Sequence, residues 1–540
     1  MPDWELRDVE PERTRRYVRE GWWDDDSLGT VLAAGLAAAA AETFSVRSDR
    51  RPWRGTLGDV DALARRVAGG LRTRGIGPGD AVAFQLPNWV EAAATFYAVC
   101  YLGATVVPIV HFYGAKEVAY ILRKTNVKAL VTADRFGHLD YLANLGAMQA
   151  DLPDLELVTV VGDDAGGHLP FDDLATATPV DGPTRVDPTT PALIAYTSGT
   201  TADPKGVVHS HRTIGAEIRQ LGSMQPAGRA SLVGAPVGHG IGMLAALLLP
   251  VWRHQAIHLI DVWDPARVLA SAVEEDVTIG SGATYFLTSL LDHPDFDPAV
   301  HLPYMDHIGL GGSAVPGAVT ERATGLGISV VRSFGSTEHP SITGALHDAP
   351  LEKRLYTDGK PLAGVEIRIV DANGHDVAVG EQGEIYSRGP DCFVGYTDPR
   401  ATKLAFDGDW FMTGDIGVLD ADGYLAITDR KKDVIIRGGE NVSAAEVEEL
   451  LLRIPGVAEC AVVAAPDTRM GEHVCAFLRM SRGDTIPSLD DVRAWLERAG
   501  LARQKWPEEL HPVDDFPRTA SGKVQKFVLR QRLRQALPGG

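Results

Sequence analysis

An apolar run from Ala192 to Tyr196 breaks into the loop TSGTTADPKG, Thr197 to Gly206. That junction narrows the choice of fold sharply. A short buried strand must end where backbone N–H groups turn toward one point, and glycine permits such a turn. Thr197, Ser198, Thr200 and Thr201 add hydroxyl donors, Gly199 and Gly206 add freedom, and Lys205 adds a point charge. The result is a cradle for an anion on a strand-ending loop. The spacing differs from the P-loop pattern, and no Ser or Thr follows the lysine.

The flanking sequence repeats this grammar. Val60 to Arg72 has the apolar spacing of an amphipathic helix, GIGPGD makes a turn, and AVAFQL reads as a buried strand. Pro87 and Asn88 open another helix that ends near Gly103, and ATVVPIV reads as the next strand. This order predicts βαβ units and a largely parallel sheet. VTIGSGAT, HIGLGG and ISVVRSFGST are further apolar runs that end in small polar residues. Loops gathered at one edge of a parallel sheet would form a ligand crevice. After about Asp358 the pattern turns hairpin-like, with Asn373-Gly374 between the two runs of GVEIRIVDANGHDV. From Asp433 the chain starts strand-rich and ends in a basic helical tail.

The bulk numbers narrow the partners. At 540 residues the chain needs more than one folding unit. It carries 72 acidic against 52 basic residues, so its field repels nucleic acid and anionic membrane. Any polyanion must be held by a few placed groups. The four cysteines, Cys100, Cys392, Cys460 and Cys475, form no CxxC pair, which fits a reducing cytoplasm. The charged N-terminus is unlike a secretory signal, and no apolar run is long enough for a membrane span. High arginine, alanine and glycine content points to a GC-rich bacterial genome, and a role in specialised metabolism is the expectation set beside it.

At the Thr197 loop the chain resembles the adenylate-forming acid ligases: acyl-CoA synthetases, peptide-synthetase adenylation domains and firefly luciferase. It departs from their loop at Ala202, where the pattern has glycine. Six more segments match in order: GHGIGM (Gly238 to Met243), LGGSAVP (Leu310 to Pro316), SFGSTEHP (Ser333 to Pro340), WFMTGDIG (Trp410 to Gly417), DRKKDVIIRGGENVSAAEVE (Asp429 to Glu448) and PRTASGKVQK (Pro517 to Lys526). The resemblance, in its acyl-CoA synthetase branch, is nearly full-length. It implies an α/β fold: a large N-terminal domain of mostly parallel βαβ sheets with a β-barrel-like subdomain, residues 1–431. A small mobile α+β C-terminal domain, residues 432–540, would carry the catalytic lysine and the thioester half-reaction.

What the resemblance implies for chemistry is ATP- and Mg²⁺-dependent activation of a carboxylic acid, followed by transfer to coenzyme A. Glu338 and Thr200 would hold Mg²⁺, with Thr337 also beside the phosphates. Gly311, Gly312 and Ser313 would flank the adenine, and Ser333, Phe334, Gly335 and Ser336 would follow the nucleotide, with Phe334 stacking on the base. Asp415 would accept the ribose hydroxyls and Arg430 would make a second ribose or phosphate contact. Lys523 would bridge the attacking carboxylate and the α-phosphate. Lys432 matches the hinge, and Gly438 and Gly439 would line a pantetheine tunnel after the small domain swings. His239 would sit at the acyl pocket as a gate.

GHGIGM lacks the acidic residue that amino-acid-activating relatives use, so an amino acid is not the expected substrate. A bulky or medium-length, or cyclic, apolar acid is. An acceptor other than CoA, an acyl carrier protein or a partner enzyme, is the alternative. Nothing in the sequence opposes a homodimer.

Overall fold

The computed structural model describes residues 4–197, 204–224, 228–519 and 522–536. At its centre is an eight-stranded sheet in the order Gly395–Tyr396, Lys205–Ser210, Pro191–Thr197, Thr105–Pro108, Ala81–Gln85, Val127–Ala133, Leu157–Val161 and Leu169–Pro170. From Pro191–Thr197 to Leu169–Pro170 the neighbours run parallel, whereas Lys205–Ser210 returns antiparallel. Every residue of Ala81–Gln85 is buried, as expected of a strand covered on both faces.

Helices supply the cover. Leu57–Arg72 starts three residues before the expected Val60, because Thr56 and Asp59 form a reciprocal capping box. Val90–Tyr101 is buried at every residue, so it has no polar stripe for the sequence to reveal. It begins after Pro87 and Asn88, with Trp89 as its cap residue. Trp89, Phe96, Tyr97 and Tyr101 fill the centre of the largest core.

Two four-stranded sheets and one antiparallel sheet complete the larger part. Thr43–Arg47, Trp53–Thr56, Leu232–Val233 and Ile257–Ile260 make one sheet; His307–Leu310, Ser329–Phe334, Thr343–Gly344 and Lys360–Pro361 make another. VTIGSGAT is no regular strand: it makes only the isolated bridges Ser231 to Thr278 and Gly282 to Leu310. Its glycines are the reason, since Gly280 and Gly282 both adopt positive φ.

The antiparallel subdomain expected after Asp358 has five strands, Glu366–Val370, Gln382–Arg388, Phe406–Asp407, Trp410–Leu419 and Leu425–Arg430. Asn373-Gly374 does make a turn there, with Gly374 at φ +81°. However, the returning run makes one bridge, Val370 to Asp376, and the full ladder of Glu366–Val370 is with Gln382–Arg388.

The last segment is α+β. Ile435–Arg437, Glu440–Val442, Val457–Asp467, Gly471–Met480 and Glu509–Pro512 share one sheet, flanked by Ala444–Leu451, Leu489–Arg498 and the basic helix Lys526–Ala536. Ile435, Val447, Leu451, Val462, Val474 and Leu496 form its own core. Among the described residues no helix is long and apolar enough to cross a membrane.

Candidate active site

The candidate residues converge from loops and strands of several sheets, not from one sheet edge as the sequence pattern suggests. Thr197 closes its strand in the central sheet and Lys205 opens the next. Ser198, Gly199, Thr200 and Thr201 lie outside the described residues. The Lys205 ammonium stands 5.1 Å from the centre of the Tyr396 ring. Tyr396 Oη donates to Glu338 Oε1 at 2.8 Å. One tyrosine thus links the cradle lysine to the acid. Burial and the charge of Glu338 push the Tyr396 phenol up, so it stays a donor.

The segment Ser333–Pro340 is anchored from below. Buried His209 places Nε2 2.8 Å from the carbonyl of Thr337 and Nδ1 3.1 Å from Thr213. His339, fully buried, lies 3.1 Å from Asp391 Oδ1 and 2.9 Å from Ser387. Ser341 donates its hydroxyl to Glu217 at 2.6 Å and its backbone N–H to Asp391 at 3.2 Å. Burial and the neighbouring Asp391 charge push Glu217 well above the usual carboxylate range, leaving it neutral. Burial pushes Asp391 up as well, but His339 and the Ser341 N–H outweigh it and hold its carboxyl low. One neutral and one charged carboxyl in the same pocket is the electrostatically allowed arrangement. This network fixes the loop carrying Thr337 and Glu338.

Glycine is needed at two points of the cavity wall. A Cβ on Gly335 would lie 1.8 Å from the carbonyl oxygen of Pro340, and one on Gly311 would lie 2.5 Å from Ser333 Oγ. Gly312, at φ +75°, and Ser313 continue along the same cavity, as do Ser333 and Ser336. Phe334 also lines it but is 8% exposed, packed in a cluster with Ile342, Leu362 and Val365. Its ring is therefore largely core.

Asp415 is 4% exposed. Its Oδ1 accepts from Arg430 Nε at 2.5 Å, while Oδ2 is buried with no hydrogen-bond partner. Buried carboxylate oxygens without a donor are uncommon and call for an explanation. Vicinal ribose hydroxyls would supply the missing donors, so the residues present fit a nucleotide. A Mg²⁺ ion accompanying ATP takes phosphate and water oxygens plus one or two carboxylates. Glu338, half-buried with one oxygen engaged by Tyr396, fits that role.

Lys523 comes from the last sheet's side of the cleft. Its backbone closes a tight turn with Thr519, and Gly522, at φ +82°, approaches Tyr285 to within 3.5 Å of where a Cβ would sit. Arg518 stacks over the same Tyr285 ring at 4.6 Å and is held by Glu459 at 2.8 Å. Half-buried Lys523 shares the cavity with Glu338, Asp415 and Arg430. Burial, reinforced by the charge of Arg430, lowers its ammonium to about 8.

His239 caps the short helix Gly240–Met243, its Nδ1 accepting from Ile241 N at 3.4 Å. Burial and the nearby Lys523 charge lower it to about 4, so it is neutral at pH 7. Lys432 lines the same cavity, and burial with the Arg430 charge lowers its ammonium. Gly438 and Gly439 sit exposed on the Ile435–Arg437 to Glu440–Val442 hairpin, away from the cavity lining.

The cavity measures about 2300 Å³. That exceeds the usual few hundred to a thousand Å³ of a single-ligand pocket, so there is room for two bound molecules. Its apolar lining includes Ile241, Leu244, Trp263 and Phe286, with the last two rings edge-to-face at 4.6 Å. Sequence reasoning missed His209, Tyr396, Glu217 and Asp391; it placed Tyr285 (in GATYF) and His339 (in HPSIT) at the acyl pocket but not the Arg518 stack or the buried network in which the structure engages them. For His209 a signal existed: Lys205, Val207 and His209 share one strand face. Tyr396 and Glu217 lie far from any motif, and only the fold brings them in.

The AMP-binding enzyme family model matches residues 40–397, and the AMP-binding enzyme C-terminal domain model matches residues 446–523. A medium-chain fatty-acid–CoA ligase of Escherichia coli is 33% identical over 97% of this chain and 94% of its own length. A Rhodococcus jostii CoA ligase for 3-[(3aS,4S,7aS)-7a-methyl-1,5-dioxo-octahydro-1H-inden-4-yl]propanoate is 36% identical over 88% of this chain and 93% of its own. An anthranilate CoA ligase crystallised with anthranoyl-AMP superposes with a TM-score of 0.85 at 26% identity, over 95% of this chain and 98% of that one.

Proposed function

We propose that this chain, which belongs to the AMP-binding enzyme family, is an ATP-dependent carboxylic acid–CoA ligase acting on a bulky or medium-length, or cyclic, apolar acid. The substrate carboxylate attacks the α-phosphorus of ATP, the bond to the β-phosphate oxygen breaks, and pyrophosphate leaves. The sulfur of CoA then attacks the acyl carbon of the acyl-adenylate, AMP leaves, and the thiol proton passes to solvent.

One observation carries the reading: Lys523 stands in the same cavity as Asp415, Glu338 and an apolar lining. Two anions must meet in the first step, so catalysis is positioning plus neutralisation of charge. Lys523 supplies a cation where the two approach. Asp415 Oδ2 accepts from the ribose, and Arg430 Nε keeps that carboxylate oriented. Glu338 holds Mg²⁺, which when bound neutralises phosphate charge; Thr200 is assigned the same duty. Lys205 with the Ser198–Thr201 loop binds phosphate, and neutral His239 borders the acyl group.

Ile241, Leu244, Trp263 and Phe286 support an apolar acid, and the names of the Escherichia coli and Rhodococcus jostii relatives cover chains and fused rings alike. We place the hinge at Lys432, between units 1–431 and 432–540. Swinging there would bring Gly438 and Gly439 to the CoA arm. Four unpaired cysteines favour a reducing cytoplasm.

The test is incubation with ATP, Mg²⁺, CoA and a panel of fatty, aryl and polycyclic acids, with pyrophosphate and thioester followed together. Both products, abolished in Lys523→Ala, are expected. Pyrophosphate without thioester would refute the CoA half and move the acceptor to a carrier protein or partner enzyme.

A further inference from the structure

A second cluster of chemically reactive side chains lies outside this cavity, on the sheet of the C-terminal segment. Strand Gly471–Met480 pairs in parallel with Glu509–Pro512, in a register that sets Cys475 opposite Glu509 and Phe477 opposite His511. Strand alternation puts His473, Cys475 and Phe477 on one face with Glu509 and His511. One donor atom each of Cys475, Glu509 and His511 lies within 4.8 Å of the other two. His473 Nε2 is 3.1 Å from Glu509 Oε1, and His511 Nε2 is 3.1 Å from Glu509 Oε2. Cys475 Sγ is 4.0 Å from the latter oxygen.

A second observation points to a ligand. His473 is 8% exposed, and its ring nitrogens face carboxylates, Nε2 3.1 Å from Glu509 Oε1 and Nδ1 3.8 Å from Asp467 Oδ2, without hydrogen-bond geometry at either. A histidine buried merely for packing would satisfy at least one nitrogen. The His511 imidazole is held by stacking on Phe477 at 5.0 Å with 23° between the planes, as a ligand ring needs to be held.

We propose that His473, Cys475, Glu509 and His511 form a binding site for a borderline divalent transition metal, zinc above all. One thiolate sulfur, two imidazole nitrogens and one carboxylate oxygen suit tetrahedral Zn²⁺, whereas Mg²⁺ rejects sulfur and prefers oxygen. Binding breaks the Cys475 S–H bond and releases its proton to solvent as the sulfur–metal bond forms; the imidazoles bind neutral. Bond lengths of about 2.0–2.3 Å require donors about 3.5 Å apart, so Cys475 Sγ, 4.0 Å from Glu509, must move in, and the two imidazole nitrogens, 3.1 Å from Glu509 oxygens, must ease apart from them. Exposed Glu509 has room to turn inward toward the held His511 ring. The ion would pin Glu509–Pro512, the strand that leads toward Arg518 and Lys523, to the rest of its sheet.

The test uses the untagged full chain, stripped with a chelator and titrated with Co²⁺. A thiolate-to-cobalt charge-transfer band in the near ultraviolet, saturating at one ion per chain and erased by Zn²⁺, is expected. Cys475→Ser should remove the band, and His511→Ala should weaken binding at least about tenfold. Both variants should keep the parent's pyrophosphate-release rate, since neither residue touches the cavity. Should Cys475→Ser fail to fold, His511→Ala decides alone. No band in excess Co²⁺, a band that survives Cys475→Ser, or unweakened Co²⁺ binding in His511→Ala would overturn the proposal.

Discussion

Lys523 makes the sharpest prediction because its ammonium is lowered from 10.5 to about 8. Burial in the cleft is the larger cause and the Arg430 charge the next, with Asp415 and Glu338 opposing. Below pH 8 the group is a cation; above it, a neutral amine. If the cation is what adenylation needs, kcat/KM for ATP holds level to about pH 8 and then declines. At pH 9 the cationic fraction is about one in eleven, so kcat/KM should be about tenfold below its plateau. Bound triphosphate favours the ammonium, so the decline in kcat should begin at higher pH than that in kcat/KM. Pyrophosphate release without CoA is the assay, because the CoA thiol titrates in the same range. Lys523→Arg stays charged throughout and should lose the alkaline decline, at some cost in rate from its different shape. Lys523→Ala should lose about 10²–10³-fold on the parent's plateau below pH 8, with the gap narrowing as the parent declines. A decline near pH 8 that persists in Lys523→Arg would refute the reasoning, as would its absence from the parent enzyme.

Three further outcomes follow from the geometry. Gly335→Ala sets a Cβ 1.8 Å from the Pro340 carbonyl oxygen, and the shift it forces on Glu338 should lower kcat/KM about 10²-fold, read by pyrophosphate release. Glu217 has a raised folded pKa, so the folded state holds a proton that the unfolded chain gives up above 4.5. Its contribution therefore falls as pH rises from that value toward the folded pKa, by about 1.4 kcal/mol per unit. Urea unfolding at several pH values should show that slope removed in Glu217→Gln. Arg453 bridges Glu321 at 2.7 Å across the cleft, with both side chains a third or more exposed, so Arg453→Ala should cost under about 1 kcal/mol. It should slow adenylation at most about fivefold while leaving thioester formation from preformed acyl-adenylate unslowed; equal slowing of both would count against the bridge favouring this pose.

The central strands were legible because their burial shows directly in composition. Ala81–Gln85 and Pro191–Thr197 fall where the apolar runs place them, and the helix Leu57–Arg72 follows its 3.6-residue spacing. Val90–Tyr101 was readable only by its Pro and Gly boundaries, since complete burial erases amphipathic contrast. The hairpin at Asn373-Gly374 shows the limit of local signals: the turn forms, but Glu366–Val370 finds a longer ladder with Gln382–Arg388. The site divides the same way. Glu338, Asp415 and Lys523 stand in motifs and meet in one cavity. Tyr396, Asp391 and Glu217 carry no local mark, because their partners are 50 to 124 residues away. His473-x-Cys475 and Glu509-x-His511 were visible as paired i, i+2 donors, yet a search for CxxC spacing passes over them.

The crowding of cations around Lys523 has a consequence for timing. Arg430 and Lys432 both disfavour its charge, so the closed cleft is an electrostatic spring that a polyanion compresses. On the proposed reading, bound triphosphate would let three positive groups share the phosphate charges and would draw the two halves together. Departure of pyrophosphate would remove most of that glue and leave like charges facing one another. The repulsion would then push the lysine out, so that the chemical event itself would release the arm that the next step requires to move.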